Sequence, residues 1–424
     1  MDWPHCSLWL LPNLAFALSQ HARAGVDSPA HMLPHELVGE ILRLVGAREL
    51  THQAVLMCIG GVTDPSLHRG HLASVEGLLL AFAGSSLERY HAIRGLPPLL
   101  RPRTFHTASA SGRSVLVVGG RSASHALAPE LLRVGAQCRA GEREPPAGSA
   151  LLGWNDVEHH LRGSAWRPCP MLEVEPEPEA ALSSGARERA SAVTLSDGCI
   201  LVMGGLGEKL EALANCWLYD PASTDGTWRA AAAMSDARCD FGACLMCDGS
   251  VCVVGGVDNG SWLRSSEIYL PDEDRWQTAG LLGQPRRGCS LAALPATLGG
   301  GALAIGGGAP TPSVGGSAVL RSCERLCRGQ HRAIWRPSLP LMVARQHAAA
   351  VTLGGSAVIV LGGFDGKQHL DSAEVAQLDV LCEAPPSDRH GISTHSGQWE
   401  LLPKGKLSLQ GPRSQFAAVV IRGH

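Results

Sequence analysis

Residues Arg345–Gly363 read RQHAAAVTLGGSAVIVLGG, and the same pattern returns along most of the chain. Two apolar runs, Ala348–Leu353 and Ala357–Leu361, flank a Gly-Gly-Ser turn and are rich in Val, Ile and Ala. Such runs around a glycine turn predict a β-hairpin. The closing pair, Gly362 and Gly363, supplies positive φ angles and lets other backbone pass closely, as a crowded sheet near an axis requires.

Apolar runs end in a Gly-Gly pair at six places in the sequence. The pairs are Gly60-Gly61, Gly119-Gly120, Gly204-Gly205, Gly255-Gly256, Gly306-Gly307 and Gly362-Gly363. The interval between pairs stays between 51 and 59 residues, except between the second and third pairs, where it is 85. A single pair is weak evidence in a chain with 50 Gly, but recurrence in a fixed context indicates a structural repeat.

Three other residue types recur around these pairs. An arginine precedes the pair by 16 to 20 residues at Arg103, Arg187, Arg238, Arg286 or Arg287, and Arg345. A tryptophan follows it at Trp166, Trp228, Trp276, Trp335 and Trp399. Downstream of the Gly-Gly pair, several units contain a Ser-x-Glu sequence, whose glutamates are Glu76, Glu267, Glu324 and Glu374. A unit of about 50 residues with these markers resembles the kelch repeat, in which one unit forms one four-stranded blade of a β-propeller.

The resemblance covers roughly residues 51–424 and implies an all-β, six-bladed propeller of the kelch type. The segment Arg413–Val419 (RSQFAAV) matches Arg345–Val351, but no partner strand or Gly-Gly pair follows it. The missing half lies at the other end, where Ala54–Gly61 (AVLMCIGG) matches Ala357–Gly363. We therefore expect the C-terminal strand to pair with the strand near residues 53–59, which closes the ring and removes its open edges. The expected domains are an extension at 1–50 and the propeller at 51–424.

The N-terminal extension contains one predicted helix, between Ser28 and Leu50. Its apolar residues at helical spacing are Leu33, Leu37, Ile41 and Leu44, and Pro34 suits a first turn. The sequence LPHEL at the start of this helix resembles the opening half of an F-box. That resemblance implies docking of the apolar face onto the Skp-type adaptor of a cullin-RING ubiquitin ligase. The alternative is an amphipathic helix that packs on the side or rim of the propeller.

Composition limits the classes of partner and compartment. The net charge is −3, so nothing favours nucleic acid or an anionic membrane as a partner. Scattered cysteines, several of them in predicted strands, favour a reducing compartment, and we expect a cytoplasmic or nuclear protein. The apolar run Leu8–Leu18 has no basic residue before it and contains Pro12. These features favour a buried or docking segment over a secretory signal.

The motifs that would indicate an enzyme or a metalloprotein are weak or missing. Cys244 and Cys247 have zinc-knuckle spacing, but no second pair follows at a suitable distance. The sequence lacks a G-x-S-x-G elbow and a P-loop. Its three tyrosines do not suit the copper-radical oxidases found among kelch-like propellers. We therefore expect no enzyme activity, metal or other cofactor. The alternative is an enzyme or small-molecule binder that uses the channel mouth.

In the kelch family, the loops on one propeller face commonly grip a peptide of a partner protein. The positions of this chain that the resemblance places on that face are Arg103, His106, Arg238, Asp240, Phe241, Asp258, Asn259, Arg345, His347, Asp365 and Lys367. The arginine that recurs in each unit has two interpretations. It either locks the blade through carbonyls and a neighbouring glutamate, or it forms a positive funnel for an acidic peptide.

Overall fold

The structure is a computed structural model, and it describes part of the chain. The described residues are 52–63, 72–83, 86–93, 96–111, 114–122, 125–133, 161, 164–169, 187–223, 228–311, 316–328, 333–353, 357–377, 399–402, 409 and 412–422. The expected N-terminal helix, with Leu33, Leu37, Ile41 and Leu44, lies outside them. The expected domain boundary at residue 50 also lies outside them, and both stay predictions.

The chain divides into two compact units. The first comprises Met1–Gln53 and Leu80–Arg89, where the described residues are strand backbone. The second comprises Ala54–Leu79 and Tyr90–His424. All described side chains belong to the second unit, which contains most of the propeller strands.

The described secondary structure is almost entirely β-strand. The first strands are β1 (His52–Ile59), β2 (Val75–Ala83), β3 (Ser86–Ile93), β4 (Thr104–Ser111), β5 (Ser114–Ser122), β6 (His125–Ala126), β7 (Glu130–Arg133), β8 (Trp166–Pro168), β9 (Ser191–Thr194), β10 (Ile200–Met203), β11 (Cys216–Tyr219), β12 (Trp228–Ala231), β13 (Gly242–Leu245) and β14 (Val251–Val254). The remaining strands are β15 (Val257–Asp258), β16 (Ser261–Trp262), β17 (Ser265–Leu270), β18 (Arg275–Leu281), β19 (Ser290–Ala293), β20 (Ala302–Ile305), β21 (Gly308–Pro310), β22 (Ser317–Val319), β23 (Cys323–Arg328), β24 (Ala333–Ser338), β25 (Ala349–Leu353), β26 (Ala357–Leu361), β27 (Ala373–Gln377), β28 (Glu400–Leu401) and β29 (Ala417–Arg422). Short 3₁₀ turns lie at Pro271–Glu273 and Ala296–Leu298.

These strands form six propeller blades in the described part of the chain. Blades 1 to 6 have the strand orders β29-β1-β2-β3, β4-β5-β7-β8, β9-β10-β11-β12, β13-β14-β17-β18, β19-β20-β23-β24 and β25-β26-β27-β28. Strand β6 also pairs with β5, and β15-β16 and β21-β22 are separate two-stranded hairpins. The first strand of each blade contacts the first strand of the next, in the cycle β29, β4, β9, β13, β19, β25 and back to β29. The predicted six-bladed, all-β fold is therefore confirmed.

Blade 1 contains strands from both ends of the described chain. Strand β1 pairs antiparallel with β29, from Ala54 opposite Arg422 to Ile59 opposite Ala417. An isolated bridge between Val62 and Ser414 extends this pairing beyond the strand end.

The second strand of each blade forms most of the core. Ile200–Met203, Val251–Val254 and Ala302–Ile305 are buried along their whole length, because such a strand lies between two others and packs on both neighbouring blades. Their continuous apolar runs follow from burial on both faces. The first strands carry Ala, Ser and Gly instead, and these small side chains fit near the axis, where space is narrow.

The Gly-Gly pairs lie where consecutive blades approach each other most closely. Gly255 and Gly256 have φ angles of +66° and +98°. A Cβ on Gly255 would overlap the carbonyl oxygen of Arg286 in the next blade, and the N–H of Gly256 donates to that same oxygen over 2.7 Å. The pair thus provides the close backbone passage that the sequence predicted.

Candidate functional site

The repeated arginine of each blade is buried in the sheet rather than presented to a partner. The six residues are Arg103, Arg187, Arg238, Arg286, Arg345 and Arg413, and each is at most 6% exposed. Each donates from Nη1 to the carbonyl oxygen of the first glycine of a Gly-Gly pair, over 2.7–3.2 Å. All but Arg187 also pair with a buried glutamate of the same blade, namely Glu130, Glu267, Glu324, Glu374 and Glu76.

This geometry decides between the two interpretations of the arginine in favour of a contact that locks the blade. The expectation that Arg103, Arg238 and Arg345 contact a partner is corrected, because all three guanidinium groups are buried and already bound. Their positive charges stabilise the blades by pairing with buried glutamates. Other side chains must therefore give the face its chemistry.

Blade 3 departs from this arrangement at its arginine. Strand pairing places Trp217 opposite Val202, where blade 4 has Glu267 opposite Val253. Among the described residues, Arg187 therefore has no carboxylate partner and donates only to the carbonyl oxygens of Gly204 and Asn215. Burial lowers the pKa of Arg187 to about 10. Blade 3 offers a natural comparison for the other five arginines.

The residue two positions after each locking arginine has a left-handed backbone. The residues at this position are Phe105, Arg189, Asp240, Gly288, His347 and Gln415, with φ between +50° and +58°. Each donates its N–H to the carbonyl oxygen of the corresponding residue in the preceding blade, over 2.6–3.3 Å. The six bonds form a closed backbone ring, which we call the mouth ring. One glycine and five other residue types share this conformation.

A cavity of about 210 Å³ lies inside the mouth ring. It is lined by all six mouth-ring residues and, deeper, by small residues of the first strands such as Ala192, Ala243 and Ala350. Side chains at the ring therefore differ from blade to blade around one common opening, while the backbone below repeats.

Asp240 is at the centre of a charged cluster that joins three blades at this opening. Arg189 of blade 3 donates from Nη1 to Asp240 Oδ2 over 2.6 Å, and its guanidinium lies 4.0 Å from the ring centroid of Phe105. His347 Nε2 of blade 6 lies 3.4 Å from Asp240 Oδ1, and it has no hydrogen bond among the described residues. Burial alone would raise the pKa of Asp240, but the adjacent His347 and Arg189 hold it well below its usual range.

The other expected face residues divide into interior and outer positions. Phe241 is buried in the core between blades 3 and 4 and His106 is buried beside blade 1, and both contribute to the lining of the mouth cavity. Asp258 and Asn259 lie in and after β15 at the start of the hairpin that leads to Trp262. Asp365 caps a turn by accepting hydrogen bonds from the N–H groups of Lys367 and Gln368. Their contact with a partner stays a prediction.

His106 is expected to make the fold less stable at mildly acid pH. Its Nε2 lies 2.9 Å from the Ile59 carbonyl oxygen, and burial, with the nearby charge of Arg103, lowers its pKa to about 3. The ordinary value is about 6.5, so between these values the unfolded chain binds a proton that the folded chain does not. The free energy of unfolding therefore decreases as the pH is lowered, and this histidine alone accounts for a loss of about 2 kcal/mol between pH 7 and pH 5.

The variant His106→Gln tests this prediction, because its amide N–H can serve Ile59 without titrating. Urea unfolding of both proteins at pH 7 and pH 5 should show a smaller pH-dependent loss of stability in the variant. Equal losses in the two proteins would mean that His106 does not titrate differently in the folded and unfolded states.

Four residues near the mouth were missed by the sequence reasoning as candidates. Arg189 and Gln415 occupy mouth-ring positions, whereas Trp262 and Gln346 lie in adjacent loops. A rule that takes the second residue after each repeated arginine would have found the first two. Gln346 directly follows a repeated arginine, as Arg287 does, whereas Trp262 carries no periodic signal.

The described residues show no cluster of three or more potential metal-ligating side chains. Eleven cysteines in the described ranges are free thiols, and most are buried. Burial raises the pKa of Cys216 and Cys323 to about 12, as expected for thiols that act as small apolar side chains. Of the described segments, none forms a helix with the length and apolar character needed to cross a membrane.

Comparisons with known proteins agree with this architecture. The chain is 34% identical over 144 residues to an F-box/kelch-repeat protein of Arabidopsis thaliana, covering 33% of this chain and 36% of the relative. It is 32% identical over 120 residues to Kelch-like protein 40 of Mus musculus, covering 28% and 18%. A second Arabidopsis thaliana F-box/kelch-repeat protein is 26% identical over 145 residues, covering 32% and 35%.

The chain spans little more than a third of the length of each of these relatives, or less. No protein-family model matches it. Two of the similar proteins are named as kelch-repeat proteins and one as Kelch-like, and the structure has the six blades that the kelch resemblance predicted. The resemblance to kelch-repeat propellers is therefore confirmed.

Proposed function

We propose that this protein is an interaction module that holds a peptide segment of a partner protein at the mouth ring. One observation carries the proposal. Five different side chains and one glycine occupy a single repeated backbone position around the opening, whereas the arginines, Gly-Gly pairs and most glutamates below them repeat. Repetition maintains the scaffold, and variation at the opening provides the means to recognise one particular sequence.

The backbone of the mouth ring supports this proposal. A non-glycine residue in the left-handed region costs on the order of 1 kcal/mol or more, and the ring holds five of them. Glycine at all six positions would avoid that cost, as Gly288 does. The strained positions instead bring Phe105, Arg189, Asp240, His347 and Gln415 to the opening, where a partner can touch them.

We further propose that the N-terminal segment makes the protein a substrate receptor of a cullin-RING ubiquitin ligase. The names of two similar proteins include the F-box as well as the kelch repeat. The F-box-like residues Leu33, Leu37, Ile41 and Leu44 would bind a Skp-type adaptor, and the mouth ring would select the substrate.

Two variants of the full-length chain test the adaptor contact. Leu37→Asp combined with Ile41→Asp should abolish co-elution with a purified Skp-type adaptor, because two carboxylates would enter the apolar contact. His35→Asp is the matched control, since it places the same carboxylate on the opposite side of the predicted helix. Adaptor binding that survives the double substitution would exclude the ligase-receptor role.

A separate variant tests the mouth ring. His347→Ala should reduce capture of the propeller's partner from a cell extract, measured by quantitative mass spectrometry, by about tenfold or more. Arg275→Gln, on the exposed outer strand of blade 4, is the control and should leave capture unchanged. Equal capture by wild type and His347→Ala would argue against recognition at the mouth.

A further inference from the structure

Arg287 is a half-buried arginine beside the mouth ring, and its guanidinium makes no hydrogen bond or close ion pair with the described residues. It follows the locking Arg286 and precedes Gly288 of the ring. In the described part of the chain, no hydrogen bond or ion pair reaches its guanidinium, and its Nε is buried without an acceptor. Its outer nitrogens are therefore donors that an acceptor from outside the chain can use.

Trp262 fixes the position of the Arg287 side chain. The hairpin of β15 and β16 turns at Asn259 and Gly260, with φ angles of +43° and +91°, and carries Trp262 from blade 4 toward blade 5. The guanidinium carbon of Arg287 lies 5.1 Å from the centroid of the Trp262 ring system. A cation held over an aromatic face loses less freedom when it binds an anion.

Gly308 and Gln346 leave room beside this pair and add a polar group to it. Arg287 and Gly308 exchange two backbone hydrogen bonds, of 2.9 and 2.7 Å. A Cβ on Gly308 would lie 2.8 Å from Gln346 Oε1 and 3.6 Å from the Trp262 ring. The glycine therefore leaves a space bordered by the Trp262 indole and the Gln346 side-chain amide, next to the backbone of Arg287.

The acidic side chains around Arg287 do not neutralise it. Asp240 interacts electrostatically with Arg287, but its carboxylate already accepts from Arg189 over 2.6 Å and faces His347 at 3.4 Å. Glu188 lies 3.6 Å from Arg121. Two arginines thus share one buried carboxylate at the mouth, and the local charge is positive beside Arg287.

We propose that Arg287, Trp262 and Gln346 form a binding site for a side-chain carboxylate in an acidic segment of the partner peptide. The carboxylate pairs with the guanidinium, which the indole holds in place, and the Gln346 amide can donate to its second oxygen. This assignment rests on the proposed function, because it places one residue of the peptide that the mouth ring holds. We call it the Arg287 site.

The test uses the full-length protein and three pools of synthetic random peptides with one fixed residue. The fixed residue is Glu in the first pool, Gln in the second and phosphoserine in the third. Wild type should retain the Glu pool in preference to the Gln pool. Arg287→Gln should weaken binding of the Glu pool about 10–100-fold, the effect of losing a charge-assisted contact. Trp262→Leu should give a smaller loss, and Arg275→Gln should give none.

Each other outcome overturns the assignment in a recognisable way. Equal retention of the Glu and Gln pools, or retention of neither, excludes a carboxylate site. Preference for the phosphoserine pool alone replaces the carboxylate with a phosphate. Capture of the partner from extract separates this proposal from the one on which it rests. If His347→Ala loses the partner but Arg287→Gln keeps it, only the Arg287 site is refuted, whereas retention by both variants refutes mouth recognition as well.

Discussion

Replacing Arg345 with Met is expected to lower the free energy of unfolding by about 3–5 kcal/mol, because it leaves a buried carboxylate without its cation. Arg345 and Glu374 are each at most 1% exposed and are joined by a hydrogen bond of 2.9 Å. Glu374 also accepts from the backbone N–H of Met342 and of Val343. Its negative charge therefore stays in the core when the arginine is removed. A loss of this size is a large fraction of the stability of an ordinary domain.

Arg187→Met is the matched control for this prediction. Arg187 lies at the same point of blade 3 and donates to the Gly204 carbonyl oxygen over 3.0 Å, as Arg345 does to Gly362 over 2.8 Å. Among the described residues it has no carboxylate partner, so its removal leaves only unpaired carbonyl oxygens and also eliminates a buried charge. We expect a cost of about 1 kcal/mol or less.

Urea unfolding of both variants, followed by circular dichroism, checks the comparison. The double variant Arg345→Met with Glu374→Met should recover part of the lost stability, because it removes the stranded carboxylate. Recovery is incomplete, since the N–H groups of Met342 and Val343 lose their acceptor. Similar costs for Arg345→Met and Arg187→Met would show that the glutamate pair contributes little.

The repeat was readable from sequence because its scaffold residues do the same task in every blade. Gly362-Gly363, Arg345 and Glu374 recur with their spacing because each blade needs the same backbone passage and the same locking pair. Repetition fixed the number of blades. The repetition did not show that Arg345 is buried. An arginine in a turn-rich segment is usually exposed, and the burial becomes evident only when the sheet places Glu374 opposite the second strand.

Residues at the mouth were harder to find for the opposite reason. Arg189 and Gln415 share a backbone position but no chemistry, so only their spacing from the repeated arginine marks them, and no residue type does. The Arg287 site depends on a hairpin that carries Trp262 across to the next blade, and sequence spacing does not encode that crossing. Blade 2 shows the same limit, because Glu130 serves Arg103 without the Ser-x-Glu step that marks other blades.

Gly119→Ala is expected to cost about 2–5 kcal/mol, the combined effect of a left-handed backbone and a clash that cannot relax. Gly119 has a φ of +65°, and an added Cβ would overlap the carbonyl oxygen of Arg187 in the next blade. That oxygen also accepts the N–H of Gly120 over 2.8 Å. The clash is with backbone, so blades 2 and 3 must separate to accommodate the methyl group.

Gly260→Ala separates the two contributions to this cost. Gly260 also has a positive φ, of +91°, but a Cβ there would meet nothing within 4 Å. Its substitution should lower the free energy of unfolding by about 1–2 kcal/mol, which is the cost of holding a non-glycine residue in a left-handed backbone conformation. The urea midpoint of each variant measures the difference in stability between them. If Gly119→Ala does not fold, the soluble yield still shows that it is the less stable of the two. Equal stabilities would mean that the close approach at Gly119 does not hold the two blades together, and that the Gly-Gly pair is needed only for its φ angles.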